Sequence, residues 1–153
     1  MSATGLEVFD RTLQTTHIWL DDIKEMLGPD RQVAWKVLSV VLRKLRDRLP
    51  IELAANLGAQ LPLLVRGAYY DQFEPQRQPM KLDRDRFVAE VGNGLSDSRP
   101  IDAEAAVRAV FVVLSSHLPQ GQIAKVQHAL PEPFWPLWQP GEAEAPPPPD
   151  RTA

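Results

Sequence analysis

The sequence predicts an all-α protein: two tandem, related three-helix units packed as one helical bundle, followed by a disordered proline-rich C-terminal tail. Two observations predict it. Apolar residues return every three or four positions through segment after segment, which is the period of one helix face. The second half of the chain also repeats the apolar layout of the first, with the same Leu-Pro punctuation. The 153 residues, 44% apolar and 24% charged, suit a single globular domain with an ordinary core. The predicted domain spans 6–138, its repeats about 6–71 and 83–138, and the tail 139–153. The stretch Leu42–Asp71 organises the rest, since it holds the end of the most apolar helix, a basic cluster and two Leu-Pro pairs.

The elements follow in order. Phe9, Leu13, Trp19, Leu20, Ile23, Met26 and Leu27 mark an amphipathic first helix, and Gly28-Pro29 stops it. Asp30 is placed to cap the second helix, about Arg31 to Arg46, by accepting from free backbone N–H groups. Ala34, Val37, Leu38, Val41, Leu42 and Leu45 make its stripe, widened by Trp35 and Val40, so this helix is predicted to be central. Pro50 opens a third helix carrying Leu53, Leu57 and Leu61. Pro62 breaks it, and a short helix through Leu63, Leu64 and Val65 is predicted to end at Gly67. Gln72 to Asp83 is polar and reads as the connection between halves. Phe87, Val91 and Leu95 mark a fourth helix, Asp102 to about His117 a fifth, and Gly121 to Leu130 a sixth. Phe134, Trp135, Leu137 and Trp138 form an aromatic turn, read as a latch over the core.

The halves align with small offsets. Trp19, Ile23 and Leu27 match Phe87, Val91 and Leu95 at 68 residues; Asp30, Ala34, Val40, Val41 and Leu42 match Asp102, Ala106, Val112, Val113 and Leu114 at 72. Leu49-Pro50 and Leu61-Pro62 match Leu118-Pro119 and Leu130-Pro131 at 69. The basic turn is not duplicated: RKLRDRLP in the first half faces SSHLP in the second. The apolar skeleton therefore reads as architecture, and anything particular to this chain is expected where the copies differ.

LRDRLP, AANLGAQLP and LLVRGAYYD, with FVAEV, VFVVL and ALPEPF in the second half, resemble the bacterial domain of unknown function 2267 family. The likeness covers about Leu6 to Trp138. The resemblance implies an all-helical bacterial protein and no assigned activity, so it carries over no catalytic or cofactor residue.

The absence of cysteine removes disulfides, thiolate metal sites and thiol nucleophiles from consideration. The net charge of −3 is spread evenly over the halves and argues against nucleic acid as a partner. No apolar run approaches a membrane span, and the N-terminus lacks the layout of a secretory signal, so a cytoplasmic location is expected. Phosphate-binding glycine loops, the G-x-S-x-G elbow and H-E-x-x-H are missing. His17, His117 and His128 are far apart and read as ordinary side chains. Asp21, Asp22 and Glu25, at helical spacing, read as a solvated face rather than a metal site.

Two clusters remain. Arg43, Lys44, Arg46 and Arg48 either dock an anionic partner or complement a helix dipole, with Arg43 and Asp47 paired at i, i+4. Arg66, Tyr69, Tyr70 and Asp71 either line a shallow cleft or hold the core, with one tyrosine inside and Arg66 paired to Asp47 or Asp71. The leading expectation is a cytoplasmic interaction or regulatory module rather than an enzyme. It has a protein partner, no cofactor, no metal and no membrane, and homo-oligomerisation stays open. Its expected contact patch is Arg43, Arg46, Arg48, Arg66, Tyr69 and Tyr70. The alternative is a protein that binds, or acts on, an anionic small molecule in a pocket between the repeats near Arg66 and Tyr70.

Overall fold

The computed structural model describes residues 4–139, and among these no strand occurs. Residues 140–153, which hold most of the predicted tail, lie outside the described residues. The helices are α1 (Glu7–Leu27), α2 (Arg31–Arg48), α3 (Ile51–Gln60), α4 (Leu63–Tyr70), α5 (Arg84–Gly94), α6 (Ala103–His117) and α7 (Gln120–Ala129). Short 3-10 turns occupy Pro75–Arg77 and Glu132–Trp138.

The centre of the bundle is α2 on α6. The first packs against α1, α4, α5 and α6, the second against α1, α2, α5, α7 and the terminal 3-10 turn. Both start at an aspartate, as expected. Asp30 accepts from the backbone N–H groups of Gln32 (2.9 Å) and Val33 (3.3 Å), and Asp102 from that of Glu104 (3.2 Å). Val37, Leu38, Val41, Leu42 and Leu45 from α2 meet Val107, Val110, Phe111 and Leu114 from α6 in one buried cluster.

All four Leu-Pro pairs are helix boundaries. Leu49, Leu61, Leu118 and Leu130 have ψ of 153°, 148°, 157° and 145°. These are the extended values that a following proline ring imposes. Each leucine is also buried, so one dipeptide ends a helix, pins the boundary into the core and starts the next helix. Gly28 ends α1 at φ 117°, ψ 167°. That is a positive φ open to glycine, but not the left-handed helical cap that the sequence suggested.

The element order is richer than two sets of three. Each half carries a fourth short element after its third helix: α4 in the first and Glu132–Trp138 in the second. The latter seats Trp138 on Phe111 (ring centroids 4.1 Å apart) and Phe134 edge-on to Phe87 (5.4 Å), closing one end of the core. The sequence also placed the end of α4 at Gly67, whereas the helix continues to Tyr70. The reason lies in the basic cluster, described below.

The first helix outlasts its core. Leu6, Phe9, Leu13, Thr16, Leu20, Ile23 and Leu27 form one stripe at alternating steps of three and four. From Thr16 to Ile23 that stripe is buried, but Leu6, Phe9 and Leu13 are exposed.

Candidate functional site

The basic cluster at the end of α2 is spent on the fold. Arg46 is 4% exposed. One Nη donates to the carbonyls of Tyr69 (2.7 Å) and Asp71 (2.8 Å), and its Nε donates to Asp47 (2.8 Å). Its guanidinium also lies 5.0 Å from the centre of the Phe73 ring. Arg43 donates to the Ala68 carbonyl (3.0 Å) and pairs with Asp71 (3.2 Å). The two arginines thus satisfy carbonyls that α4 would otherwise leave bare at its C-terminus, where positive charge is favoured. That is why α4 runs past Gly67. Lys44 reaches Glu90 on α5 (3.6 Å), and Arg48 donates to the Leu82 carbonyl (2.8 Å) while lying over the Phe134 ring. Burial holds the Arg48 pKa below its ordinary value.

The expected ion pairs are therefore redistributed. Arg43 pairs with Asp71 instead of Asp47, Asp47 pairs with Arg46, and Arg66 pairs with no carboxylate among the described residues. Arg66 donates instead to the carbonyls of Ala59 (3.2 Å) and Leu61 (2.9 Å), capping the end of α3. Trp135 does the same for α7 through its indole N–H, to Gln127 (2.9 Å) and Leu130 (3.0 Å).

Tyr69 is fully buried and donates to the Ala54 carbonyl at 2.7 Å. Burial first, and then the neighbouring Tyr70, push its phenol pKa well above the ordinary value. Tyr70 lies over Gly58, where a Cβ would sit 2.7 Å from the ring carbon bearing the hydroxyl. Of the six residues expected to form a contact patch, Arg46 and Tyr69 face inward. Arg43, Arg48 and Arg66 spend donors on backbone carbonyls, and Tyr70 packs on α3. All but Arg48, which ties α2 to Leu82 and Phe134, come together as a brace between α2, α3 and α4.

A different region is open. Nine large apolar side chains are exposed among the described residues, and five of them (Leu6, Phe9, Leu13, Leu63 and Leu64) gather where the N-terminal part of α1 meets the start of α4, while Val8 and Ile18 lie on other sides of α1. Thr12 joins the two helices: its hydroxyl accepts from the Leu64 N–H at 3.0 Å, capping α4, which has no side-chain cap of its own. Between them runs an apolar groove of about 380 Å³ lined by Phe9, Thr12, Leu13, Leu63, Leu64 and Gly67. Leu13 and Leu64 also border a second apolar hollow of about 310 Å³ that extends to His17, Leu20 and Trp35. Sequence reasoning listed Phe9 and Leu13 as helix-face residues and missed their exposure. The available signal was the length of α1, which has 21 residues where α5, the helix whose apolar residues align with its own in sequence, has 11.

A third feature lies between the halves, a cleft of about 440 Å³ lined by Arg11, Arg66, His117, Trp19, Gln60 and Leu63 among others. Tyr70 takes no part in it. His117 stacks on Trp19 (5.4 Å) and meets Asp22 at 2.7 Å. Asp21 pairs with Lys24 (3.7 Å), and no group of three or more potential metal ligands occurs among the described residues. Nor is any helix among them long and apolar enough to cross a membrane.

No curated protein matches the chain. A family model described as "Uncharacterized conserved protein (DUF2267)" matches residues 16–137, which takes in α2 to α7 and the buried half of α1 and leaves out Leu6, Val8, Phe9 and Leu13. Across about four-fifths of its length, from the stripe that enters the core to the aromatic turn that closes it, the chain belongs to the domain of unknown function 2267 family.

Proposed function

We propose that the chain is a small protein-interaction module, regulatory in role and working in the bacterial cytoplasm, that docks through the apolar face of α1 and α4. The observation that carries this reading is the gathering of five exposed large apolar residues, Leu6, Phe9, Leu13, Leu63 and Leu64, on that one face. Isolated surface leucines need no explanation, whereas a contiguous patch does. The cysteine-free composition suits a reducing compartment. Arg43, Arg46, Arg66, Tyr69 and Tyr70 serve this face indirectly by bracing the wall that α4 provides, and Arg48 instead ties the end of α2 to Leu82 and Phe134. The two halves are read as copies of one unit: matched residues Arg66 and Trp135 cap the preceding helix alike, and the four Leu-Pro boundaries share one conformation. The N-terminal extension of α1 is then what the first copy adds. Affinity capture from the source cell tests the reading. A partner held by the wild-type chain is expected to be lost with Leu13→Asp/Leu64→Asp, and equal capture by both would overturn the assignment.

One observation favours a second reading, binding of a small anion in the cleft between the halves. Arg66 Nε is buried without a hydrogen-bond partner, beside Arg11 and His117 on the same cleft wall. Titration with inorganic phosphate, followed through the imidazole resonances of His117, tests it. Saturable shifts that vanish in Arg66→Gln support the reading, and no shift up to tens of millimolar removes it.

A further inference from the structure

We propose that the apolar face of α1 and α4 pairs with the same face of a second copy of the chain, forming a two-fold dimer. This rests on the reading of that face as a docking surface and names its occupant. A two-fold interface needs a protrusion and a recess on one surface, so that each copy fills the other. Both are present. Leu6, more than half exposed, projects at the N-terminal end of α1. Beside it lies the groove between Phe9, Leu13, Leu63 and Leu64.

The recess is also deeper than α4 alone requires. Gly67 lies within this helix, is exposed, and has no atom within 4 Å of where a Cβ would be. A glycine inside a helix costs stability relative to alanine. At Gly58 the Tyr70 ring explains the glycine, but no neighbour among the described residues does so at Gly67. An approaching second copy would, because its side chains reach the α4 backbone only if that position stays bare.

Charge does not oppose self-pairing. Glu7 and Arg11 neutralise each other within α1, and Asp10 accepts from the backbone and hydroxyl of Thr4. Like faces carrying a strong net field would repel each other; here the Glu7–Arg11 pair leaves a single carboxylate, Asp10, held by Thr4. The area also suffices. Five side chains about half exposed leave on the order of 400 Å² of apolar surface, close to the apolar share of the about 800 Å² per partner that a standard interface buries.

Sedimentation equilibrium of the full chain, from about 1 to 500 µM, gives the first test. A monomer–dimer equilibrium is expected, with Phe9→Asp/Leu64→Asp raising the dissociation constant at least 100-fold while circular dichroism and melting temperature hold. Because the chain has no cysteine, Leu6→Cys mixed with Gly67→Cys gives the second test: oxidation is expected to form a disulfide between copies. A wild-type chain that stays monomeric, or a dimer indifferent to Phe9→Asp/Leu64→Asp, overturns the proposal. So does a dimer that forms no 6–67 cross-link. A monomeric chain whose captured partner is still lost with Leu13→Asp/Leu64→Asp removes the second copy but keeps the docking face. Capture that is also unchanged removes both.

Discussion

The last turn of α2 and the first turns of α1 look, in composition, like a site and a scaffold respectively; their environments reverse the roles. Arg43, Lys44, Arg46 and Arg48 are the densest charge in the chain, yet each finds a carboxylate or a backbone carbonyl within the protein. Leu6, Phe9 and Leu13 continue an ordinary core stripe, yet the core ends before they do. Charge density is thus a poorer guide to a contact surface than leftover surface. A cation already engaged within the protein has less left for a partner, while an apolar residue in water gains from any cover.

The sharpest way to break that contrast is at Arg46. Arg46→Ala leaves Asp47 and the carbonyls of Tyr69 and Asp71 without their donor. It is expected to cost about 3–5 kcal/mol in urea unfolding, as loss of one partner in a buried charged network does. A loss under about 1 kcal/mol would return Arg46 to the list of contact residues.

Tyr69→Phe should cost less, about 1–2 kcal/mol, by removing the buried donor to Ala54. Its pH dependence is distinctive. The folded phenol has a raised pKa, so its contribution is complete below the unfolded value of 10.0 and declines as pH rises above it. The slope from this one group approaches about 1.4 kcal/mol per pH unit. The stability gap between wild type and Tyr69→Phe should therefore narrow above pH 10; a constant gap would place the hydroxyl in water.

Gly67→Ala carries the opposite sign. With open space around its Cβ, alanine should stabilise the chain by about 0.5–1 kcal/mol, yet weaken association by filling the groove. Destabilisation would mean that the backbone there requires glycine. Smallest of all, Phe9→Asp should shift unfolding by no more than about 0.5 kcal/mol, as surface changes do. A large loss would show that the exposed half of α1 is core after all.

Much of the fold was legible because it follows from local rules. Asp30, the Leu-Pro pairs and the stripe of α2 each act on neighbours in sequence, so a reader needs no partner to place them. The misplaced end of α4 shows the limit. Gly67 resembles a helix terminus when α4 is read alone, and only the guanidiniums of Arg43 and Arg46, more than twenty residues away, carry the helix three residues further. The candidate site was less legible for the same reason. Whether Phe9 or Ile23 is covered depends on how far α2 and α6 extend beneath α1, and periodicity is identical on both sides of that edge. Arg46 and Tyr69 were named from sequence in two separate clusters, with one tyrosine weighed as a core residue, but nothing in the sequence showed that Arg46 also points inward.

The way α4 is held has a consequence for how the molecule breathes. Eight residues are too few to persist as a helix in isolation. This one is clasped by Thr12 from α1 at one end and by two arginines from α2 at the other. Its amides should exchange with solvent on the timetable of its supports rather than by private fraying. One wall of the groove therefore comes and goes with the bundle itself, and a peptide cut from residues 63–70 would retain none of its grip.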